Sequence, residues 1–171
     1  MGMRANYQFL NDEQYAELKN LETEDPESAF DSVEDWNEEE EVLLDIDKMW
    51  DVLHFVLNGV GATEPKEGDP LSEAVLGEHV LDEVEEFISY TSKERIPVIL
   101  KALEEFDIER AMEKFCMKEC EQAGLYPNIW EYDDEEEVEE LKEEITDCFE
   151  EMKNFYREVL ENDGNVLVTI Y

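Results

Sequence analysis

Three cysteines, two histidines and a dense population of carboxylates are the side chains of this sequence that could carry chemistry. Cys116 and Cys120 stand one helical turn apart, and with His54 or His79 they would supply the donors that zinc takes. Their spacing is looser than the tight pairs of closed zinc sites, so small buried thiols are the simpler reading. Cys148 stands alone, no Cys-x-x-Cys occurs, and an odd count suits three free thiols in a reducing compartment. No metal and no other cofactor is called for. His54 lies on an apolar stretch, bordered by the Trp50 and Leu57 stripe and by Asp51 and Asn58, where an imidazole could face a cleft. A satisfied packing histidine is the simpler reading here too, because a base without a nucleophile beside it does no chemistry. Tyr126 and Trp130 bracket Pro127 in a loop that reads either as a plug on the core or as the aromatic wall of a pocket. Trp50, His54, Tyr126 and Trp130 are thus the candidate binding residues, and no catalytic residue is assigned.

The carboxylates carry a different message. The chain holds 50 Asp and Glu against 13 Lys and Arg, a net charge of -37 over 171 residues. At that density, pairs with general acid and base spacing arise by chance and point to nothing. Neither Asp45-Ile-Asp47 nor the run from 133 to 137 places the Gly and closing Glu that an EF-hand loop needs. Nucleophile elbow, phosphate loop, dinucleotide fingerprint and His-Glu-x-x-His helix are all absent from the sequence, which removes the common hydrolase, nucleotide and zinc-protease readings. So acidic a surface repels phosphate backbones and anionic lipid, which argues against nucleic acid and membranes as partners. It attracts basic proteins. The leading expectation is a non-catalytic acidic binding or inhibitor protein of the immunity type, directed at a basic protein. The rival is an enzyme or small-ligand protein whose cleft is built from the four residues named above.

These side chains need a scaffold, and 42% apolar with 11% aromatic residues is enough to bury one core, so a single domain over residues 1–171 is expected. No run approaches the roughly 18 apolar residues of a membrane span, and the first residues lack the apolar core of a signal peptide, so a cytosolic location is expected. Alternation predicts a strand from Arg4 to Leu10, with Ala5, Tyr7 and Phe9 on one face, followed by a helix capped at Asn11 or Asp12. Residues 22 to 41 read as a helix from Pro26 or as an acidic loop. A largely buried helix spans Asp47 to Asn58 and closes at Gly59. A short helix, Ser72 to Leu76, ends at Gly77, and Phe87 to Tyr90 reads as a strand. Thr91 is expected to cap a helix to about Phe106, with Pro97 kinking it or marking a late start. Asp107 caps the next, to Cys116. The clearest element is the helix from Asp134 to Asn162, whose seam of Val138, Leu141, Ile145, Cys148, Met152, Phe155 and Val159 is widened by Phe149, Tyr156 and Leu160 into a core-facing stripe. Val166 to Tyr171 is apolar on both faces and reads as an interior strand.

Several pieces resemble one family when taken together: Met1, Gly2, Met3, Ala5, Asn6 and Tyr7; Asp45 to Lys48 with Trp50, Leu53, His54, Leu57 and Gly59; Pro70 and Leu71; Ala74 to Gly77; and Tyr126, Pro127, Ile129 and Trp130. In this order they are similar to the bacterial YfbM-like family, end to end. The resemblance implies an α/β (α+β) architecture of one domain, with helices packed around a small mixed β-sheet and strands at both termini. It brings no activity with it. Where the family carries a second Gly after Gly77 and a Gly-Pro-Ala-like segment before the strand near Tyr90, this chain has Glu78 and the acidic stretch from Leu81 to Glu86, so a pocket bordered by that loop would be altered here.

Overall fold

Apolar residues at the two ends of the chain pair with each other and form the middle of the fold. The computed structural model describes residues 2–82, 84–127 and 134–171. Strand β1 (Ala5–Leu10) lies antiparallel to β5 (Asn165–Ile170), from Ala5 opposite Ile170 to Leu10 opposite Asn165. β2 (Leu43–Asp47) flanks β1, while β4 (Phe87–Thr91) and the two-residue β3 (His79–Val80) flank β5, giving the order β2-β1-β5-β4-β3. Every pairing is antiparallel, which corrects the expected mixed sheet.

Helices cover both faces of this sheet. On one side α1 (Asp12–Glu24) and α2 (Ala29–Glu39) bury Leu18, Ala29 and Val33 against Leu10, Ile88, Tyr90 and Leu167. On the other lie α3 (Trp50–Asn58), α4 (Pro70–Leu76), α5 (Ile96–Glu105), α6 (Ile108–Glu113), α7 (Met117–Gln122) and α8 (Glu135–Glu161), over Ala5, Tyr7, Val166, Val168 and Ile170. The two-sided apolar character of β5 follows directly, since Leu167 points into the small cluster and its neighbours into the large one. The architecture is α+β.

Local chemistry places most helix ends. Asn11 accepts from the Gln14 amide while the Gln14 side chain accepts from the Asn11 amide, a reciprocal capping box. Asp107 and Asp134 cap α6 and α8 through their carboxylates. Gly59 closes α3 at φ +80°, a left-handed conformation in which a Cβ is costly. Pro26 opens a 3-10 turn that leads into α2, so residues 26–39 are helical rather than loop. Thr91 ends β4 instead of capping a helix, and α5 starts late with Pro97 in its first turn, where a missing N–H costs nothing. On α8 the stripe buries Ile145, Cys148, Phe149, Met152, Phe155, Tyr156 and Val159, while Leu160 is exposed. Two tyrosines tie α4 down: Tyr7 Oη donates to Val75 O and Tyr156 Oη to Ala74 O, each at 2.7 Å. No helix among the described residues is long and apolar enough to cross a membrane.

Candidate functional site

Helix α3 and the loops it holds contain three of the four candidate residues. The Trp50 indole stacks on the Tyr126 ring with centroids 5.2 Å apart and planes 21° from parallel. Trp50 Nε1–H donates to Met3 O at 3.1 Å, and Met3 N–H donates to Tyr126 Oη at 2.6 Å, so the two rings grip the segment just before β1. Gly2 fits closely into that grip, since a Cβ there would sit 2.5 Å from Tyr126 Oη and against the Lys48 side chain, and those side chains would have to shift. Asp51, 4% exposed, anchors the arrangement from beneath. Its Oδ1 accepts from Ala62 N–H at 2.6 Å and its Oδ2 from Tyr126 N–H at 2.7 Å, charge-assisted bonds that join two loops distant in sequence.

His54 faces another way. It is fully buried, with Nδ1 at 2.7 Å from Val60 O and Nε2 at 2.7 Å from Ser72 Oγ. A carbonyl can only accept, so Nδ1 carries the proton and Nε2 accepts from the Ser72 hydroxyl. Ser72 Oγ in turn accepts from Lys66 N–H at 3.0 Å. Burial holds the imidazole below its usual protonation range, with the Val60 carbonyl pulling the other way. Ser72 supplies the hydroxyl that the sequence did not place beside His54, and a hydroxyl on a neutral imidazole is the pairing of a nucleophile and its base. Here both groups are spent on the backbone at Val60 and Lys66, and Ser72 is 2% exposed. The pair pins the connection between α3 and α4.

Trp50 also borders an open cavity of about 480 Å³, lined by Met3, Ala62, Thr63, Leu76, Glu85, Glu86, Phe87, Ile170 and Tyr171. Met3 and Tyr171 stand at its mouth, 44% and 45% exposed. The structure therefore brings Trp50 and Tyr126 together, sets His54 on the same helix in a separate, fully buried environment, and opens a cavity that His54 does not line. Trp130 lies outside the described residues. Sequence reasoning missed Met3, Phe87 and Tyr171 as cavity residues. In the sequence Phe87 and Tyr171 read as strand residues, and nothing local says that the ends of β5 and β4 border the same cavity as Trp50.

The thiols do not assemble with the histidines. Cys116 is exposed ahead of α7, Cys120 and Cys148 are buried, and all three are free. Burial pushes the Cys120 and Cys148 thiols up to about 12, with neighbouring negative groups adding to it. His79 lies 2.8 Å from Glu78 and against the Tyr90 ring. Among the described residues no group of three or more metal-donating side chains is found.

A family model described as "Domain of unknown function (DUF1877)" matches residues 1–169. The chain belongs to that family. It is 35% identical to Protein YfbM of Escherichia coli (strain K12) over 129 residues, 74% of this chain and 75% of that protein. The crystal structure of YfbM from Escherichia coli, titled as a protein of unknown function, superposes with a TM-score of 0.80 at 30% identity, covering 98% of this chain and 99% of that one. The resemblance seen in the sequence is therefore a shared DUF1877 fold. In this DUF1877 chain several of the residues that carried it, Gly2, Met3, Trp50 and Tyr126, are the partners of a single latch.

Proposed function

We propose that this DUF1877 protein is an acidic binding or inhibitor protein whose surface engages a basic protein. The observation that supports the reading is how little of the negative charge is neutralised by internal ion pairs. Ion pairs among the described residues reach nine acidic side chains, against 50 in the chain. Most of these pairs are exposed, and exposed pairs contribute about 0–1 kcal/mol each, so stability does not account for the excess of carboxylates. A field of one sign raises encounter rates with a surface of the other sign and discourages anionic competitors. Affinity capture from cell extract at 100 and 500 mM salt tests it. A saturable partner of basic isoelectric point, retained at the lower salt and released at the higher, is expected. Partners of ordinary charge, or retention indifferent to salt, would overturn it.

A further inference from the structure

Resting on that reading, we infer that the cavity beside Trp50 is the socket that receives an arginine side chain of the basic partner. Its floor and walls are apolar, with Leu76 and Ile170 buried and Phe87 half-buried, which suits the methylene stem of a long side chain. Its lining includes the aromatic residues Trp50, Phe87 and Tyr171, and a planar guanidinium packs on aromatic rings better than a compact, strongly hydrated ammonium. Its charged members among the described residues are Glu85 and Glu86, with no Lys or Arg among the lining residues, so the charged side chains of the described lining are negative. The volume of about 480 Å³ falls within the roughly 300–1,000 Å³ common to ligand sites.

Two further observations point to a partner of this chemistry at this place. Few large apolar side chains are left exposed among the described residues, and two of them, Met3 and Tyr171, stand at this one mouth. Glu85 and Glu86 also wall a second hollow of about 340 Å³ with Glu27, Asp31 and Phe30, and Phe30 meets Tyr171 edge-on with centroids 5.0 Å apart. A partner segment with one arginine in the socket thus has an adjoining acidic hollow for its next basic residue. The groove between α6 and α8 is more acidic than the socket, lined by Glu109, Glu113, Glu139, Glu143 and Asp147, but it contains Lys142 and no aromatic ring. It is the natural control.

Calorimetric titration with hexa-arginine and with hexa-lysine at 50 mM salt tests the socket, using the wild type, the double variant Glu85→Gln with Glu86→Gln, and the double variant Glu139→Gln with Glu143→Gln. Both doubles remove the same charge from exposed or half-buried positions, so both should fold. Hexa-arginine is expected to bind the wild type several-fold more tightly than hexa-lysine. The change at 85 and 86 should weaken hexa-arginine by about tenfold, and the change at 139 and 143 by about twofold or less, the share owed to the general field. Equal losses in the two doubles, or no preference for arginine, would overturn the socket while leaving a general acidic binder standing. Failure of both peptides to bind the wild type would overturn the underlying reading and the socket with it.

Discussion

Two regions of this molecule handle polar chemistry in opposite ways. Around α3 the polar groups are buried and almost all satisfied by named partners: Asp51 holds the amides of Ala62 and Tyr126, and His54 and Ser72 hold Val60 and Lys66. Asn58 Oδ1 is the exception, buried without a partner among the described residues. Along α8 the polar groups are carboxylates in water, where Lys142 and Lys153 each reach one glutamate three positions away. Inside, each residue is specified by shape and partner; outside, only the sign of the charge is specified. Structure is thus concentrated in a few positions near α3, and the charge behind the proposed binding is spread over the surface.

The comparison is broken most severely by removing what both regions stand on. β5 is the middle strand, paired with β1 on one side and β4 on the other, and it feeds both cores. Deleting residues 165–171 is expected to abolish folding, seen as insoluble protein or loss of a cooperative melt. A soluble deletion melting near the parent temperature would show that the two half-sheets hold without it. Next in size is a single atom change. Asp51→Asn replaces one acceptor with a donor that faces a backbone N–H, leaving a buried amide unpaired, and should cost about 2–3 kcal/mol in urea unfolding. Glu140→Gln on the exposed side of α8 should change stability by less than about 0.5 kcal/mol. Similar values for the two would erase the distinction between the regions.

A smaller effect separates the regions by pH. His54 is held neutral by burial, so its folded pKa lies below its unfolded one. The folded state then binds fewer protons than the unfolded state near that range. The stability owed to neutral His54 is complete above the unfolded pKa of roughly 6.5 and is lost as pH falls from there toward the folded value. At most about 1.4 kcal/mol is lost per pH unit in that window. Urea midpoints from pH 7.5 to 5.5 should fall in the wild type, and His54→Gln, though weaker at pH 7.5, should show a flatter profile over the same span. Parallel profiles would assign the acid sensitivity to other groups.

How far these regions are legible in the sequence depends on how far apart the deciding residues lie. Asn11, Gly59, Asp107 and Asp134 mark helix ends through partners within a turn, and a local pattern suffices to find them. β5 is legible because both its faces are apolar. β2 is not: only Leu44 and Ile46 point inward, and what makes it a strand is pairing with β1, which no neighbour in sequence announces. The break between α6 and α7 near Cys116 escapes the same way, as does the two-residue β3. Residues 26–39 become helical because Ala29 and Val33 dock on Leu10 and Leu167. Trp50, His54 and Tyr126 are recognisable as residues of interest, but their roles rest on Met3, Ser72 and Asp51, whose placement is tertiary.

The surface itself yields the smallest and most general prediction. With 50 acids against 13 bases, many carboxylates lie within one Debye length of another when that length is roughly 30 Å at 0.01 M salt, and fewer interact when it shrinks to about 8 Å at 0.15 M. Repulsion is stronger in the compact state than in the expanded one, so screening relieves the folded form more. Internal ion pairs oppose this, because salt weakens them too. They reach nine acidic side chains among the described residues, and those of Lys101, Lys142 and Lys153 are short-range pairs within a helix, worth about 0.3–0.5 kcal/mol at best. The Arg95 pair with Glu73 is the strongest counterweight, since Glu73 is buried and meets the guanidinium through both oxygens, yet burial shields it from salt. Repulsion therefore dominates the salt response. Raising monovalent salt from 10 to 150 mM, without divalent ions, should raise the melting temperature by a few degrees, corresponding to a gain on the order of 1 kcal/mol. Asp51→Asn should show the same increment from a lower starting point, because its defect lies inside and the field lies outside. A flat or falling response would mean that the carboxylates are spaced well enough to cancel, and the surplus of charge would lose its standing as a surface kept for a cationic partner.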